Sequence, residues 1–466
     1  MKGDGDKGKY TSPHGSKTWE YLAIFVCTML FLCIGIMFGW NSPTIVLLLS
    51  TDSPIPVNAS DISTLTASMM FGQMLAPPIN MFAIDKIGRK YTLLFCGLPI
   101  VASWCLIIFA KSVSVLYVAR FFSGVSLGLG LVLTPIYLGE ISSVNKRGAN
   151  GALLGITFNL GILLSYTIIP YLTITTTAGI FLIPSICFVV LIPFMPESPY
   201  YLAMKGRIEE AESVLEKLRG KIDVNEELSA IVVSSKRNED NNGGYTRTLK
   251  NVFAIKCHRR AFLIILLFAA CNHFGGFITM TIYGQLIFKE TSSGISHYTG
   301  NVIIGIALLL SSVSIIFIVD KFGRKPLIFV SGIAIGFSNL TIGSYFYVKD
   351  YIDEDVSEYY LVPPTAFVML ILFSNSISNL MLIMASEIFS IEVKAVSSSI
   401  IAIAGGLFGA VVSKLYIFIS IHLNCGHSLP FFGFCIIVWI IIFVLFHLAP
   451  ETKGKTFQEI QRELDN

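Results

Sequence analysis

The sequence predicts an all-α membrane protein, with twelve transmembrane helices arranged as two pseudo-symmetric six-helix halves. Of its 466 residues, 54% are hydrophobic and 14% are charged, whereas a soluble domain carries about 25% charged residues. Apolar runs long enough to cross a bilayer, about 20 residues each, recur along the chain. Short motifs that end the runs of the first half recur in the second half. A fold that is solvated on all sides is therefore excluded.

Six apolar runs, one long polar stretch and six further runs define the predicted organisation. The runs fall at 21–48, 63–84, 91–110, 113–138, 150–170, 177–195, 261–288, 300–319, 326–347, 362–389, 397–420 and 429–449. They divide the chain into an N-tail (1–20), a first half (21–195), a linker (196–260), a second half (261–449) and a C-tail (450–466). We expect the N-tail to be disordered, because it is polar and lacks the apolar core of a signal peptide.

The linker is the only sizeable polar segment between the runs. Apolar residues recur at helical spacing in its first part and predict an amphipathic helix: Ile208, Ala211, Val214, Leu215 and Leu218. Asp223 and Glu226 have the spacing of a capping box and predict a second, short helix. We interpret the linker as helices that lie over the cytoplasmic face rather than as a signalling domain.

The positions of Lys and Arg predict the orientation. The N-tail, the linker, the C-tail and the short loops on the same side of the membrane hold 28 of the 33. Positive residues in short loops stay on the cytoplasmic side. The sequence therefore predicts a multi-pass protein of the cell membrane with both termini in the cytoplasm.

An internal duplication links the two halves. Three motifs recur in the same order at matching loops: DKIGRK (85–90) as DKFGRK (320–325), Glu140 with Arg147 as Glu387 with Lys394, and PES (196–198) as PET (450–452). The positive-inside rule alone would explain the repeated basic residues. It does not explain the repeated Asp, Gly and Glu, so we favour a true repeat. Two parallel repeats of six helices are typical of transporters, with a solute site between them near the middle of the membrane.

The repeated charged residues lie where predicted helices reach the cytoplasmic face. They are the acids Asp85, Glu140, Asp320 and Glu387 and the bases Arg89, Arg147, Arg324 and Lys394. We predict that they form gating salt bridges that latch the two halves together on this side. Because an exposed ion pair contributes only about 0–1 kcal/mol, we expect the network to matter more than any single pair.

With these motifs, the chain resembles the sugar porter family of the major facilitator superfamily over roughly residues 20–460. Further residues that carry the resemblance are Arg120, Gly124 and Gly128, then Pro135, Tyr137 and Glu140, and the ending PETKGKT at 450–456. Within the family, it looks most similar to the facilitated trehalose transporter group. The resemblance implies the major facilitator fold and facilitative transport of a hexose, a trehalose-like sugar or a polyol by alternating access.

The chain departs from the family where the family binds sugar. Two glutamines that are usual in the seventh span are Asn272 and His273 here, and a usual Asn is Ile278. An Asn-Trp pair that is usual in the eleventh span is Gly405 and Gly406. These differences put the identity of the substrate in question more than the fold.

The resemblance nevertheless points to five candidate substrate-binding residues: Asn41, Asn272, His273, Gly276 and Tyr283. Of these, we expect Asn272 and His273 to contact substrate most directly. The alternative is that their polar groups bond neighbouring helices, as polar side chains in membranes commonly do. We expect an uncharged His273 to exchange hydrogen bonds with a hydroxyl-rich solute.

Arg120 is an intramembrane charge, which by default marks a functional position. In proton-coupled relatives, an Asp of the first span lies near this Arg, and the matching residue here is Asn41. Asn41 cannot titrate, so we predict uniport rather than proton symport. In the structural alternative, Arg120 holds helices together through backbone carbonyls and Asn41.

Several other functions lack support in the sequence. No nucleophile–base set, metal constellation or Walker-type motif is present, so we predict no catalytic residues, no metal and no cofactor. The net charge of +3 is too small to indicate nucleic acid, and the sequence implies no obligate protein partner. We expect the partners to be the lipid bilayer and a small sugar or polyol. The alternatives are a solute sensor on the same fold and a carrier of another small polar solute.

The predicted topology can be tested at Asn58, which begins an Asn-Ala-Ser glycosylation sequon in a loop predicted to lie outside the cell. We expect a glycan on Asn58 when a glycosylating cell makes the protein. Glycosidase digestion should then shift the electrophoretic mobility of the wild type but not that of Asn58→Gln. The second sequon, at Asn339, lies within the ninth predicted span and should stay unmodified. Reporter fusions that place the Asn58 loop in the cytosol would reverse the assigned orientation.

Overall fold

The computed structural model describes residues 17–51, 53–143, 146–221, 223–240, 253–291, 294–352, 354–389 and 391–465. All regular elements within these residues are helices, as predicted. Residues 1–16 of the predicted N-tail lie outside the described residues. The end of that tail belongs to the first span, which begins at Thr18.

Twelve helical spans account for most of the described chain. Eleven of them are long and apolar enough to cross a membrane. The other, span 2, has 29 residues and contains Gln73, Pro77, Pro78 and Asn80, but it packs along spans 4 and 11 like a membrane helix. The spans are 1 (Thr18–Leu48), 2 (Ala59–Ile87), 3 (Arg89–Ile108), 4 (Val113–Ile141), 5 (Arg147–Tyr171), 6 (Ile174–Phe194), 7 (Lys256–Lys289), 8 (His297–Phe322), 9 (Arg324–Ile352), 10 (Val362–Ile388), 11 (Ile391–Ile417) and 12 (Ser428–Leu448).

Spans 1–6 and 7–12 form the two halves, which agrees with the predicted fold class. The start of span 1, the linker and the C-terminal residues share one side of the membrane, here called the terminal face. The opposite side, where span 1 ends and span 2 begins, is the loop face. At the terminal face, Gly88 joins spans 2 and 3 with φ +90°, and Gly323 joins spans 8 and 9 with φ +81°. This left-handed backbone favours glycine, so the glycine of each repeated motif permits the tight turn.

Spans 1 and 7 are each interrupted in the part nearer the loop face. Span 1 consists of helices Thr18–Gly39 and Asn41–Leu48. The ring of Pro43 occupies the space that the carbonyl of Gly39 needs for its helical bond. Span 7 consists of helices Lys256–Phe274 and Phe277–Lys289. Between them Gly276 has φ +89°, and the side chain of Asn339 donates to the carbonyl of Gly275 at 2.9 Å.

The linker contains the two helices that its sequence predicts. Helix Ile208–Arg219 buries Ala211, Leu215 and Leu218 against its neighbours, and it is preceded by the short helix Pro199–Met204. The second predicted helix is Asn225–Asp240. Asp223 does not take the predicted position in its capping box, because the helix begins two residues later, at Asn225. Its carboxylate instead accepts a hydrogen bond from the side chain of Asn225 at 3.4 Å.

Arg219 attaches the linker to the first half. Its guanidinium donates to the carbonyl of Ile141 at 2.8 Å and pairs with Glu227 at 2.7 Å. The buried Glu20, at the start of span 1, lies 3.7 Å from the same side chain. One arginine therefore connects spans 1 and 4 to two linker helices.

The C-tail contains a helix, Phe457–Asp465, that our reading of the sequence missed. It buries Ile460 and Leu464, and this i, i+4 apolar pair is the sequence signal that could have revealed it. Gln461 donates to the carbonyl of Ile388 at the end of span 10, at 2.8 Å. The helix therefore fixes the end of span 10 at the terminal face.

Spans 1 and 5 of the first half approach each other closely at a glycine of span 5. A Cβ atom on Gly161 of span 5 would lie 2.3 Å from the carbonyl oxygen of Leu32 in span 1. A Cβ atom on Gly151, in the same span, would meet no atom of the described residues within 4 Å. The two glycines therefore form a matched pair for testing this packing.

We expect Gly161→Ala to destabilise the protein by about 1–3 kcal/mol, because the span 1 backbone must move to admit the methyl group. Gly151→Ala should leave stability unchanged or raise it slightly, since alanine favours helix more than glycine does. The melting temperatures of the two detergent-solubilised variants measure the difference. Equal losses in both would mean that the close approach of spans 1 and 5 has no energetic importance.

Candidate functional site

A hydrogen-bonded cluster joins the two halves near the loop face. The hydroxyl of Ser42 in span 1 donates to Asn301 of span 8 at 3.0 Å and accepts from the backbone N–H of Gln285 in span 7 at 3.0 Å. The Asn301 amide in turn donates to the side chain of Gln285 at 3.4 Å. All three residues are buried. Spans 1, 7 and 8 therefore close the loop face at this layer.

Two tyrosines extend this closure toward the middle of the membrane. Tyr166 of span 5 donates to the carbonyl of Thr281 in span 7 at 2.6 Å. The hydroxyl of Tyr283 lies 3.4 Å from Thr66 of span 2, and its ring stacks on Tyr416 of span 11 with centroids 5.3 Å apart. The predicted substrate contact Tyr283 is thus fully buried as part of the closure. Its contact with a solute stays a prediction.

The terminal face is built differently. Span 1 packs on span 7 near the loop face, whereas spans 4 and 10, at matching positions in the two halves, have no comparable packing in the described helices. The salt bridges described below join residues of one half only. The structure is therefore the state in which the halves meet at the loop face.

His273 lies just before the break in span 7 and is half-buried. Its Nδ1 atom is 2.7 Å from the carbonyl of Ala269. Because a carbonyl only accepts, Nδ1 carries the proton of the neutral ring, and Nε2 is left as an acceptor. The ring lies against span 11, where Cβ atoms on Gly405 and Gly409 would each come within 3.4 Å of it. The ring of His273 therefore packs on a face of span 11 that is lined by two glycines, a pairing that no local sequence pattern indicates.

Two neighbouring candidates have distinct surroundings. Within the described chain, the side-chain oxygen of Asn272 is buried and has no hydrogen-bond partner. An unpaired buried oxygen is costly, so this atom is suited to accept a bond from a solute. Gly276 forms the break itself, where a Cβ atom would lie 3.0 Å from Asn339. Gly276 therefore contributes to the site by allowing the backbone of span 7 to break there.

Asn41 and Arg120 lie inside the first half. Asn41 is 2% exposed and donates to the carbonyl of Phe38 at 3.1 Å. Arg120 is fully buried, donates to the carbonyl of Met37 at 3.0 Å and lies 5.0 Å from the ring of Trp40. Both side chains approach the sulfur of Met69. No carboxylate pairs with Arg120 among the residues that the structure describes.

A second polar connection between the halves involves a residue that our sequence analysis missed. The hydroxyl of Ser312 in span 8 accepts hydrogen bonds from Asn159 of span 5 at 2.5 Å and from Asn375 of span 10 at 3.1 Å. All three residues are buried. Ser312 stands in an apolar run, where a lone serine carries little sequence signal.

Three of the four predicted gating residues of the first half, Asp85, Arg89 and Glu140, form one network at the terminal face. Arg89 bonds both carboxylate oxygens of Glu140 through Nε and Nη2, with a shortest distance of 3.0 Å, and lies 3.6 Å from Asp85. The carboxylate of Glu197 accepts from the backbone N–H groups of Arg89 and Lys90, which begin span 3. A carboxylate at a helix N-terminus satisfies unpaired N–H groups there.

The second half repeats this arrangement. Arg324 pairs with Glu387 at 2.7 Å. Glu451 accepts from the N–H groups of Arg324 and Lys325 at the start of span 9, at 3.0 and 2.9 Å. The duplicated motifs thus have duplicated geometry. The side chains of Asp320 and Lys394 lie outside the described part of the structure.

Arg147 does not pair with Glu140 in this state. It donates to the hydroxyl of Tyr200 in the linker at 2.9 Å. Because the described acids are paired within their own halves, the latch between the halves stays a prediction for the state in which the terminal face is closed.

The two helix-capping carboxylates differ in their pKa values. Burial raises the pKa of Glu197 above its ordinary value, although three backbone N–H groups oppose the shift. Burial also acts to raise the pKa of Glu451, but there the three N–H groups outweigh it and leave the pKa below its ordinary value. Relative to an ordinary glutamate, the fold therefore favours the ionised form of Glu451 and disfavours the ionised form of Glu197.

Comparison with known proteins identifies a family and several similar proteins. The sequence model of a family described as "Sugar (and other) transporter" matches residues 26–464. The facilitated trehalose transporter Tret1 of Apis mellifera ligustica is 28% identical over 448 residues, covering 96% of this chain and 88% of that protein. Tret1 of Bombyx mori is 27% identical over 463 residues, covering 99% and 90%. The partially occluded inward-open form of the xylose transporter XylE from E. coli has a TM-score of 0.77 at 20% identity, covering 94% of this chain and 100% of that one. This structural likeness shows the fold.

The pKa difference predicts unequal effects of neutralising the two capping carboxylates. A lowered pKa stabilises the fold above the unfolded value of about 4.3, and this stabilisation is lost as the pH falls through the folded pKa. We therefore expect Glu451→Gln to cost on the order of 1 kcal/mol at pH 7, and less at pH 4. Glu197→Gln resembles the protonated form that a raised pKa favours, so it should cost less.

Thermal unfolding of both variants and the wild type in detergent at pH 7 and pH 4 measures these effects. Glu197→Gln is the matched control, because it makes the same change at the equivalent position of the other half. A loss at Glu197→Gln that equals or exceeds the loss at Glu451→Gln would contradict the assignment.

Proposed function

Because this chain belongs to the sugar (and other) transporter family, whose members are transporters rather than enzymes, we propose that it carries a sugar across the membrane by facilitative alternating access. The observation that carries this proposal is the one-sided closure of the two halves. Ser42, Tyr166 and Tyr283 join them at the loop-face side of the breaks in spans 1 and 7. A carrier needs such closure to be reversible, and hydrogen bonds between rigid halves can be exchanged without unfolding.

The proposed substrate is a hexose or a trehalose-like sugar. Nε2 of His273 and the side-chain oxygen of Asn272 both offer acceptors at the break in span 7. Sugar hydroxyl groups donate hydrogen bonds and would satisfy these acceptors. The trehalose transporters named above, with which the chain shares nearly its whole length, favour trehalose as the first sugar to test.

We propose further that the protein lies in the cell membrane with its terminal face in the cytoplasm. The charge distribution supports this orientation, since the segments that the sequence predicts to be cytoplasmic hold 28 of the 33 Lys and Arg residues. In that orientation, the loop-face closure faces the outside, and the structure is an inward-facing form.

The proposed mode of transport is uniport. Coupling to protons needs a group that gains and loses a proton during the cycle. Asn41 cannot titrate, because its side chain is an amide. It lies near Arg120, since both side chains approach the sulfur of Met69. We therefore propose that sugar equilibrates across the membrane and is not concentrated.

Uptake of radiolabelled trehalose and glucose into proteoliposomes tests these proposals directly. We expect uptake that reaches the equilibrium level and persists when a protonophore collapses an imposed proton gradient. Accumulation above equilibrium that the protonophore abolishes would rule out uniport. Binding and uptake of no sugar would favour a solute sensor or a carrier of another small polar solute.

His273→Gln, which restores the residue usual in the family, should retain or increase uptake and flatten any pH dependence between about pH 5 and 8. His447→Gln is the matched control, because His447 makes the same contact with the carbonyl four residues earlier but lies exposed on span 12. The control should match the wild type. Loss of uptake in His273→Gln, with the control unaffected, would show that the imidazole itself is required.

A further inference from the structure

The two halves repeat their terminal-face networks, but one hydroxyl group breaks the symmetry. We propose that Thr452 is a positioning residue that holds Glu387 in a single-point contact with Arg324, so that this carboxylate can exchange partners when the terminal face closes. The inference rests on the proposed alternating-access function. It implies that the contact between arginine and glutamate is weaker in the second half than in the first.

The first-half acid is held by a forked contact. Nε and Nη2 of Arg89 together bond both oxygens of Glu140, at 3.0 and 3.2 Å. Paired parallel bonds between a guanidinium and a carboxylate are stronger and more directional than one bond. Glu140 is therefore held firmly within its own half.

The acid of the second half, Glu387, bonds two different partners. Only Nη2 of Arg324 bonds Glu387, at Oε1, and the other oxygen, Oε2, accepts from the hydroxyl of Thr452 at 2.5 Å. The Nε atom of Arg324 is buried and has no hydrogen-bond partner within the described residues. The carboxylate oxygen that would complete a fork with this Nε thus bonds the threonine instead.

Thr452 is itself held in place from both sides along the chain. It is 4% exposed. The preceding Glu451 is bonded to the start of span 9, and the C-terminal helix that follows is attached through Gln461 to the end of span 10. The hydroxyl also lies 3.5 Å from the sulfur of Met384, a weaker acceptor than the carboxylate. The position of this hydroxyl is therefore set by the fold.

The equivalent hydroxyl in the first half has a different task. Ser198, at the matching place in the motif, accepts hydrogen bonds from the backbone N–H groups of Tyr200 and Tyr201. It caps the short linker helix that begins at Pro199. At the same place in the motif, Thr452 thus bonds the glutamate of the ion pair, whereas Ser198 caps a helix.

This geometry predicts the direction of the effect of removing the hydroxyl. In Thr452→Val, Glu387 is free to turn and form the fork with Arg324, as Glu140 does with Arg89. The stronger contact within the half must then be broken before the terminal face can close. The variant should therefore populate the loop-face-closed state more than the wild type does.

Spin labels at Tyr171 and Tyr298 can measure that population, because these rings belong to different halves and lie 6.2 Å apart near the loop face. Cysteines are introduced at both positions after the accessible native cysteines, Cys105, Cys187 and Cys425, are changed to serine. The ratio of short to long distances then reports closure of the loop face. We expect Thr452→Val to raise this ratio by about two- to fivefold, the size expected when one hydrogen bond to a charged group replaces another.

Three further variants separate positioning from general damage. Thr452→Ser keeps the hydroxyl and should match the wild type. Thr341→Val makes the same substitution at an exposed hydroxyl of span 9 that bonds the carbonyl of Phe337 in its own helix, and should also match. In the Glu387→Gln background, adding Thr452→Val should change nothing further, because the carboxylate on which Thr452 acts is gone.

A lowered or unchanged ratio in Thr452→Val, or an equal change in Thr341→Val, overturns the proposal. So does a full effect of Thr452→Val in the Glu387→Gln background. The distance measurement needs no substrate, so failure of sugar uptake would count against the proposed function while the role of Thr452 is still decided by the spin labels.

Discussion

The hydrogen bond from Asn339 to the carbonyl of Gly275 makes the central architecture possible. In a bilayer, a backbone carbonyl that leaves its helix must find another partner inside the protein. Asn339 is fully buried and supplies that partner from span 9. The break in span 7 can therefore persist, with His273 ending one segment and Tyr283 lying in the next.

That division separates the residues of the closure from the proposed substrate contacts within one span. The segment after the break carries Tyr283 and Gln285, which bond the first half near the loop face. The segment before it carries Asn272 and His273, whose acceptors are unused by the closure. A continuous helix would move both sets together. Under the proposed alternating access, the break would let the closing segment change contacts while the earlier segment keeps its place on span 11.

At the terminal face, both halves have the same arrangement of charged residues. Each motif places a carboxylate on the start of the third helix of its half and an arginine beside the acid that ends the fourth. Burial then differentiates the copies, since Glu197 and Glu451 have pKa values on opposite sides of the ordinary value. Duplication therefore supplied a common geometry, and the local environment gave each copy its own electrostatics.

The sequence by itself determined the number and order of the spans, the two halves and the linker helices, because the length of apolar runs and the spacing of repeated motifs are local properties. It also identified Glu140, Glu387 and His273 as residues of interest. Only the tertiary structure decided their partners: Arg89 for Glu140, Arg324 and Thr452 for Glu387, and the glycine face of span 11 for His273. These contacts join residues that are far apart in the chain. They depend on helix crossing and side-chain direction, which no local pattern of hydrophobicity or charge records.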